Sequence, residues 1–138
     1  MPASDPVLAV GLPVAERRRS ADFYRAFLER EPFGTLAGDG LPEPLQFRVD
    51  AGTTILLVPS SGFNWVLQDH RAVGPPSAVR MALTWIVGDE SSVRRTVSRA
   101  EEAGAETVVP PAAQPWQVFA GVVSDPDGHL WVLQDRAM

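Results

Sequence analysis

The sequence predicts an α+β protein made of two consecutive βαβββ modules, and two observations carry that prediction. In each half a short branched apolar run gives way to a segment of helical period and then to three further strand-like runs. The second half also restarts the order of the first. Val14-Ala15-Glu16 corresponds to Val87-Gly88-Asp89, 73 positions on (14 to 87). Gly52-Thr53-Thr54-Ile55-Leu56-Leu57 corresponds to Gly128-His129-Leu130-Trp131-Val132-Leu133, 76 positions on (52 to 128). The three-residue difference is an ordinary indel in a duplicated chain. The first module is expected over 1–59, an inter-module linker over 60–78 and the second module over 79–138, together one structural domain.

Val7 to Val14 is apolar, branched and punctuated by Gly11 and Pro13, which suits a strand. Glu16 to Arg30 reads as a helix, because Phe23 and Phe27 lie four apart, as do Tyr24 and Leu28, with Arg18, Arg25 and Glu29 between them. Glu31-Pro32 should end it, since the residue before proline avoids the α region. Phe33 to Ala37, Leu45 to Asp50 and Thr53 to Val58 read as strands separated by Gly38-Asp39-Gly40 and Asp50-Ala51-Gly52 turns. Ser60 to Ser77 has no clear periodicity and reads as linker, although it carries Phe63 and Trp65. Linkers of that length are usually functional. Val79 to Val87 is the next strand, and Ser91 to Ala103 a helix with Val93, Val97 and Ala100 on one face and Gly104 at its C-cap. Glu106 to Val109, Gln117 to Ser124 and His129 to Gln134 complete the strands, with Asp125-Pro126-Asp127-Gly128 as the last turn.

Composition removes whole classes of chemistry. The chain has 138 residues, 45% hydrophobic and 21% charged, enough to bury a core. Twelve basic against seventeen acidic residues give a net charge of −5, a surface that repels phosphate backbones, so nucleic acid is not an expected partner. Cysteine is absent, which excludes disulfides, thiolate nucleophiles and iron–sulfur clusters, and all twelve basic residues are arginines, which excludes a Schiff-base lysine. Two histidines, His70 and His129, cannot assemble a multi-histidine metal site within one chain. No apolar run approaches the roughly 18 residues of a membrane span, and Met1 to Pro6 lacks a leader pattern, so a cytoplasmic protein without membrane contact is expected.

Two stretches, Leu12 to Leu28 (LPVAERRRSADFYRAFL, with its Ser20-x-x-Phe23-Tyr24 core) and Ser124 to Leu133 (SDPDGHLWVL), carry a family resemblance. They resemble the opening strand–helix and the closing strand of the vicinal oxygen chelate superfamily, which includes glyoxalases, extradiol dioxygenases and bleomycin-resistance-type binding proteins. The resemblance covers nearly the whole chain. It implies two βαβββ modules whose mixed sheets curl around a cleft, usually in a homodimer. Most enzymes of the superfamily hold a divalent metal on inward side chains of the first and last strand of each module. Carried over from the motifs, those positions fall on Ala9 and Val132, and repeat symmetry adds Leu56 and Ala82. The segment from Val87 to Gly104 is about three residues longer than usual in the family, which leaves Trp85 as an alternative register for Ala82. Divalent metals need oxygen or nitrogen lone pairs at about 2 Å. None of these side chains supplies one, so the resemblance is to the metal-less, cofactor-free, antibiotic-binding members.

The site expected on that basis is an apolar cavity walled by Ala9, Leu56, Ala82, Thr84, Leu130 and Val132. Trp65, Trp116, Phe63 and Phe119 edge it, and Arg48 supplies a polar group. Its ligand would be an aromatic or heterocyclic small molecule, gaining about 0.5–1.5 kcal/mol per aromatic pair beyond area burial. The acidic surface would draw in a cationic drug. Strand parity assigns Trp131 and Trp85 to the core, His129 to the turn and His70 to solvent, and no function falls to Arg17-Arg18-Arg19. No residue is assigned to catalysis. The alternative is a glyoxalase-like lyase or isomerase, or a dioxygenase-related enzyme, on a small oxygenated substrate. Asp50, Glu43, His70, Gln134 and Tyr24 would be its nearby options for proton transfer, of which Gln134 has no useful pKa. A third reading has the cleft filled as core.

Overall fold

A computed structural model of the chain describes residues 7–137. The fold is α+β, with one three-stranded and one four-stranded mixed sheet, and the chain divides into two compact units between Val73 and Gly74.

In the first unit, β1 (Leu8–Val14), α1 (Arg17–Leu28), β2 (Leu45–Asp50), β3 (Thr53–Pro59) and α2 (Ser60–Val66) follow in order. The sheet runs β1-β3-β2, with β1 parallel and β2 antiparallel to β3. The aromatic stripe of α1 drives its packing. Phe23 and Phe27 stack at 5.5 Å, Phe23 meets Tyr24 edge-on at 4.9 Å, and Tyr24 lies 6.2 Å from Phe47 of β2. Tyr24, Phe27, Phe47, Leu45 and Ile55 are fully buried. The Glu16 carboxylate caps α1 by accepting from the Arg18 and Arg19 N–H groups, and the helix stops at Leu28 because Glu29 turns left-handed, before Pro32 acts.

Two expectations for this unit are corrected. Phe33 to Ala37 is not a strand. The Phe33 N–H donates to the Gln46 carbonyl, but Gly34 adopts φ 127° and only a single Leu36–Pro42 bridge forms beyond it. Pro42 and Pro44 have no N–H to extend the ladder. The start of the segment read as linker is instead α2, which Phe63 anchors to the sheet, a single side chain too few to set a visible period.

Nor is the arginine run a merely solvated face. Arg17 reaches across to the following loop, pairing with Asp39 at 3.2 Å and Glu43 at 2.8 Å and donating to the Pro42 carbonyl at 3.0 Å. Arg18 donates to the Asp39 carbonyl. The loop is thereby fastened to the N-terminal end of α1.

The second unit runs β4 (Ala82–Ile86), α3 (Glu90–Ala103), β5 (Glu106–Ala113), β6 (Phe119–Ser124) and β7 (Leu130–Gln134), with strand order β4-β7-β6-β5. Asp89 caps α3 by accepting from the Ser92 N–H at 2.7 Å, and Gly104, at φ 115°, closes it. Val93, Val97 and Ala100 are buried as the periodicity predicted, joined by Thr96. β5 runs four residues past the expected Val109 and carries Pro110 and Pro111 on a sheet edge, where the pairing register shifts between Val109 and Ala112. Edge strands tolerate proline because one row of their N–H groups is unpaired anyway. In the turn before β7, the Asp125 carboxylate accepts from the Asp127 and His129 N–H groups, each at 2.9 Å.

Gly128 sits at φ 90°, and a Cβ there would come within 2.1 Å of the Pro76 carbonyl oxygen. Gly128→Ala should therefore lower the thermal midpoint, by an amount equivalent to about 1–3 kcal/mol of strain, measured by calorimetry.

Asp39 is held below the ordinary carboxylate value of 3.8, first by the Arg17 hydrogen bond and then by the Leu41 N–H. A lowered folded value means that the contribution is complete above the unfolded value and disappears as pH falls through the folded one. Asp39→Asn should accordingly lower the midpoint at pH 6, and the gap from the natural protein should close as the pH is taken below the ordinary carboxylate range, read from a thermal series across pH.

Candidate functional site

Successive strand residues point to opposite faces, and directly paired residues share a face, so the registers sort the side chains without ambiguity. In the first unit Val10, Leu12 and Val14 of β1, with Ile55, Leu57, Leu45 and Phe47, lie beneath α1. The opposite face carries Ala9 beside Thr54 and Arg48, then Gly11 beside Leu56 and Gln46. Phe63 of α2 lies over Gly11: a Cβ at Gly11 would be 3.4 Å from the Phe63 ring. The structure thus brings together four residues singled out from the sequence, namely Ala9, Leu56, Arg48 and Phe63, on the open face of one sheet.

In the second unit Gly121 marks the helix-covered face, since its Cβ position lies 3.1 Å from Val97 of α3. Val123, Trp131 and Leu133 share that face, and Leu83 and Trp85 pair onto it. Trp85 meets Trp131 edge-on at 6.0 Å and borders a hollow of about 350 Å³ with Ser92, Arg95, Thr96 and Arg99 of α3. The other face carries Ala82, Thr84, Leu130 and Val132, again four of the residues singled out, with Ile86, Val122 and Gln134. Ala82, Thr84 and Ile86 are exposed there.

The pairings also fix the register that the sequence left open. Ala9 pairs with Thr54 and Gly11 with Leu56, while Ala82 pairs with Leu130 and Thr84 with Val132. The first strands are offset by 73 (9 to 82) and the last strands by 76 (54 to 130), the offsets of the repeat. Ala82 is therefore the counterpart of Ala9, and Trp85 lies on the helix side.

Of the aromatic residues expected at the rim, Phe119 lies on the helix side, whereas Trp65 and Trp116 are exposed. Phe119 is 7% exposed and faces α3, where the Arg94 guanidinium covers its ring at 4.8 Å. The reason is parity, because Phe119 is two residues from Gly121. Trp65, 81% exposed, projects from α2 beside a hollow of about 470 Å³ shared with Val66, Gln68 and Asp69. Trp116, 42% exposed, lies in the loop between β5 and β6, where Gln117 takes φ 68° and the Arg136 guanidinium donates to the Gln117 carbonyl.

The proton-transfer candidates other than His70 are engaged elsewhere. Tyr24 is buried under α1, Glu43 pairs with Arg17, and the Asp50 carboxylate accepts from the Gly52 N–H. Asp69, His70 and Arg71 are exposed, and the Arg71 guanidinium donates to the His70 carbonyl. Gln134 is buried, its amide donating to the Arg136 carbonyl.

The divalent metal implied by the family resemblance does not fit these residues. The four positions are Ala9, Leu56, Ala82 and Val132, which have no donor atoms, and among the described residues no group of three or more His, Cys, Asp or Glu side chains could hold an ion. Sequence reasoning missed Gly11, whose missing side chain seats Phe63, as well as Gln46 and Thr54. The alternation of β2 and β3 was the signal that would have found them.

Comparisons with known proteins agree with the fold. A family model described as a glyoxalase-like domain matches residues 9–133. A glyoxalase-related enzyme from Fulvimarina pelagi superposes with a TM-score of 0.76 at 24% identity, covering 95% of this chain and 88% of that one. A hypothetical protein, SA1046, from S. aureus gives 0.76 at 20% identity, covering 96% and 95%. A glyoxalase/bleomycin resistance protein/dioxygenase family enzyme from Burkholderia phytofirmans PsJN gives 0.73 at 14% identity, covering 94% and 98%. No curated protein sequence matches the chain.

Gly11→Ala should leave α2 seated, whereas Gly11→Leu should push Phe63 off the sheet. Hydrogen exchange across Ser60–Val66 should then accelerate in the leucine variant alone, with the remaining strands protected as before.

Proposed function

The chain belongs to the glyoxalase-like domain family, and from that premise we propose that it is a metal-independent small-molecule binding protein that holds a planar aromatic or heterocyclic ligand on the open faces of its sheets. Sequestration of an aromatic antibiotic or metabolite is the corresponding role. The observation that carries the reading is the chemistry of four equivalent positions. Ala9 and Leu56 on one open face, and Ala82 and Val132 on the other, offer hydrocarbon at the positions where the family resemblance implies metal donors. Hydrocarbon surface of this kind favours association with an apolar ring by burial, at roughly 25 cal/mol per Å² removed from water. Among the described residues, those paired with Ala9, Leu56, Ala82 and Val132 carry no carboxylate or imidazole, which favours holding a molecule over converting it.

A homodimer is part of this proposal. β1 and β4 end their sheets, and the exposed apolar side chains Val7, Leu8, Val79, Met81 and Ile86 lie along or next to them. Exposed strand edges bordered by apolar side chains invite pairing with another chain. Light scattering on the purified protein should give twice the chain mass, and a monomer would remove this part of the proposal.

The binding reading is tested by titrating a panel of planar aromatic antibiotics against tryptophan fluorescence, in chelator and then with divalent metals added. Saturable quenching in chelator is the expected result. Stoichiometric nickel, zinc, iron or manganese in untagged protein, or binding that requires added metal, would overturn it. Trp65→Ala and Trp116→Ala should each weaken binding several-fold, as expected for loss of one aromatic contact. If both leave the affinity unchanged, neither ring touches the ligand.

A further inference from the structure

We propose that Arg48 makes the open face of the first sheet selective for ligands carrying a negative group, a carboxylate or an equivalent planar anion, beside their apolar body. The inference rests on the reading of that face as a ligand surface and adds the charge its ligand must carry.

Arg48 is the one described arginine that lies in a strand; the others belong to α1, α3 or loops. Its neighbours in β2, Phe47 and Val49, are buried on the opposite face, and Arg48 pairs with Thr54, itself paired with Ala9. The guanidinium therefore rises from the same face as Ala9, Leu56 and Phe63, one step along from Gln46. β2 ends the sheet, and Arg48 is an exposed cation there, beside Gln46 and Thr54 on a face that otherwise carries Ala9, Gly11 and Leu56.

Its environment is that of an arginine prepared for a partner. The guanidinium carbon lies 5.5 Å from the centre of the Phe33 ring. Phe33 is in turn held by its own N–H, which donates to the Gln46 carbonyl at 3.1 Å, and by the turn at Gly34. Stacking a guanidinium on a ring limits its orientations while leaving its N–H edge free. That edge is unused, since no described residue accepts a hydrogen bond from Arg48 or forms an ion pair with it. Arg17 and Arg25, by contrast, each meet two carboxylates. The acidic side chain nearest along β2, Asp50, lies past a break in the strand register and is engaged by the Gly52 N–H.

The net charge of −5 argues for a cationic ligand only at long range. Screening removes that field beyond about 8 Å at physiological salt. At contact distance a guanidinium with free donors decides the sign, and it pairs best with a flat, two-oxygen anion. The ligand class is thus an aromatic or heterocyclic acid.

Three probes with one apolar body separate the possibilities: 2-naphthoate, 2-naphthylmethanol and 2-naphthylmethylammonium, titrated calorimetrically at neutral pH. The expected order is anion, neutral, cation, with the anion favoured about tenfold over the neutral probe, the equivalent of one charge-assisted hydrogen bond. Arg48→Gln should erase the preference for the anion over the neutral probe, and Arg48→Lys should restore part of it. Unchanged circular dichroism and thermal midpoint of the exposed-site variants would show that they fold. A neutral probe that binds without preference for the anion, or a preference that survives Arg48→Gln, overturns the role of Arg48 while leaving the ligand surface standing. If none of the three binds, the ligand surface itself fails and the inference falls with it.

Discussion

Each sheet has two faces and, beneath one of them, a single long helix. That asymmetry is the constraint on which everything else depends. The aromatic stripe of α1 and the Val93-Val97-Ala100 stripe of α3 each bury one strand parity, and the period of two then obliges every intervening residue to face the other way. Small and apolar side chains, among them Ala9, Leu56, Ala82 and Val132, consequently share that second face.

Much of this was legible in the chain before the coordinates. The duplication was carried by element order together with two weak matches, and its offsets reappear as the strand pairings Ala9–Thr54 and Ala82–Leu130. Parity arguments placed Trp131 and Trp85 on the helix side, because large and small residues alternate cleanly in β4. What was not legible depended on single side chains acting at a distance. α2 has no period to read, since one phenylalanine docking over one glycine organises it. Phe33 to Ala37 has strand-like composition, and what prevents a ladder is the pair of prolines in the facing segment. Phe119 was assigned by its neighbourhood to Trp116 in sequence, when its distance from Gly121 was the better guide.

Charged residues divide along the same line. Arg17 looked like part of an idle basic run, yet it fastens the Asp39–Glu43 loop to α1, an arrangement visible only once residues more than twenty apart are brought together. The loop it secures precedes β2, the strand that presents Gln46 and Arg48, so the clamp helps set the position of the one strand-borne guanidinium. A fold whose basic residues are all arginine applies the same group to two tasks, bidentate fastening inside the structure and presentation on a face.

The tryptophan pair of the second unit has a spectroscopic corollary. Two indoles with centres 6.0 Å apart and planes inclined at 62° are close enough for their electronic transitions to couple, so the native second unit should carry a bisignate ellipticity band that vanishes when Trp131 loses its packing. Trp65, almost fully hydrated on α2, contributes red-shifted emission from the first unit instead. In a Trp116→Phe background, where Trp65 is the one largely hydrated indole, the two signals report one on each unit, and their melting curves show whether the duplicated halves come apart in a single step or in two.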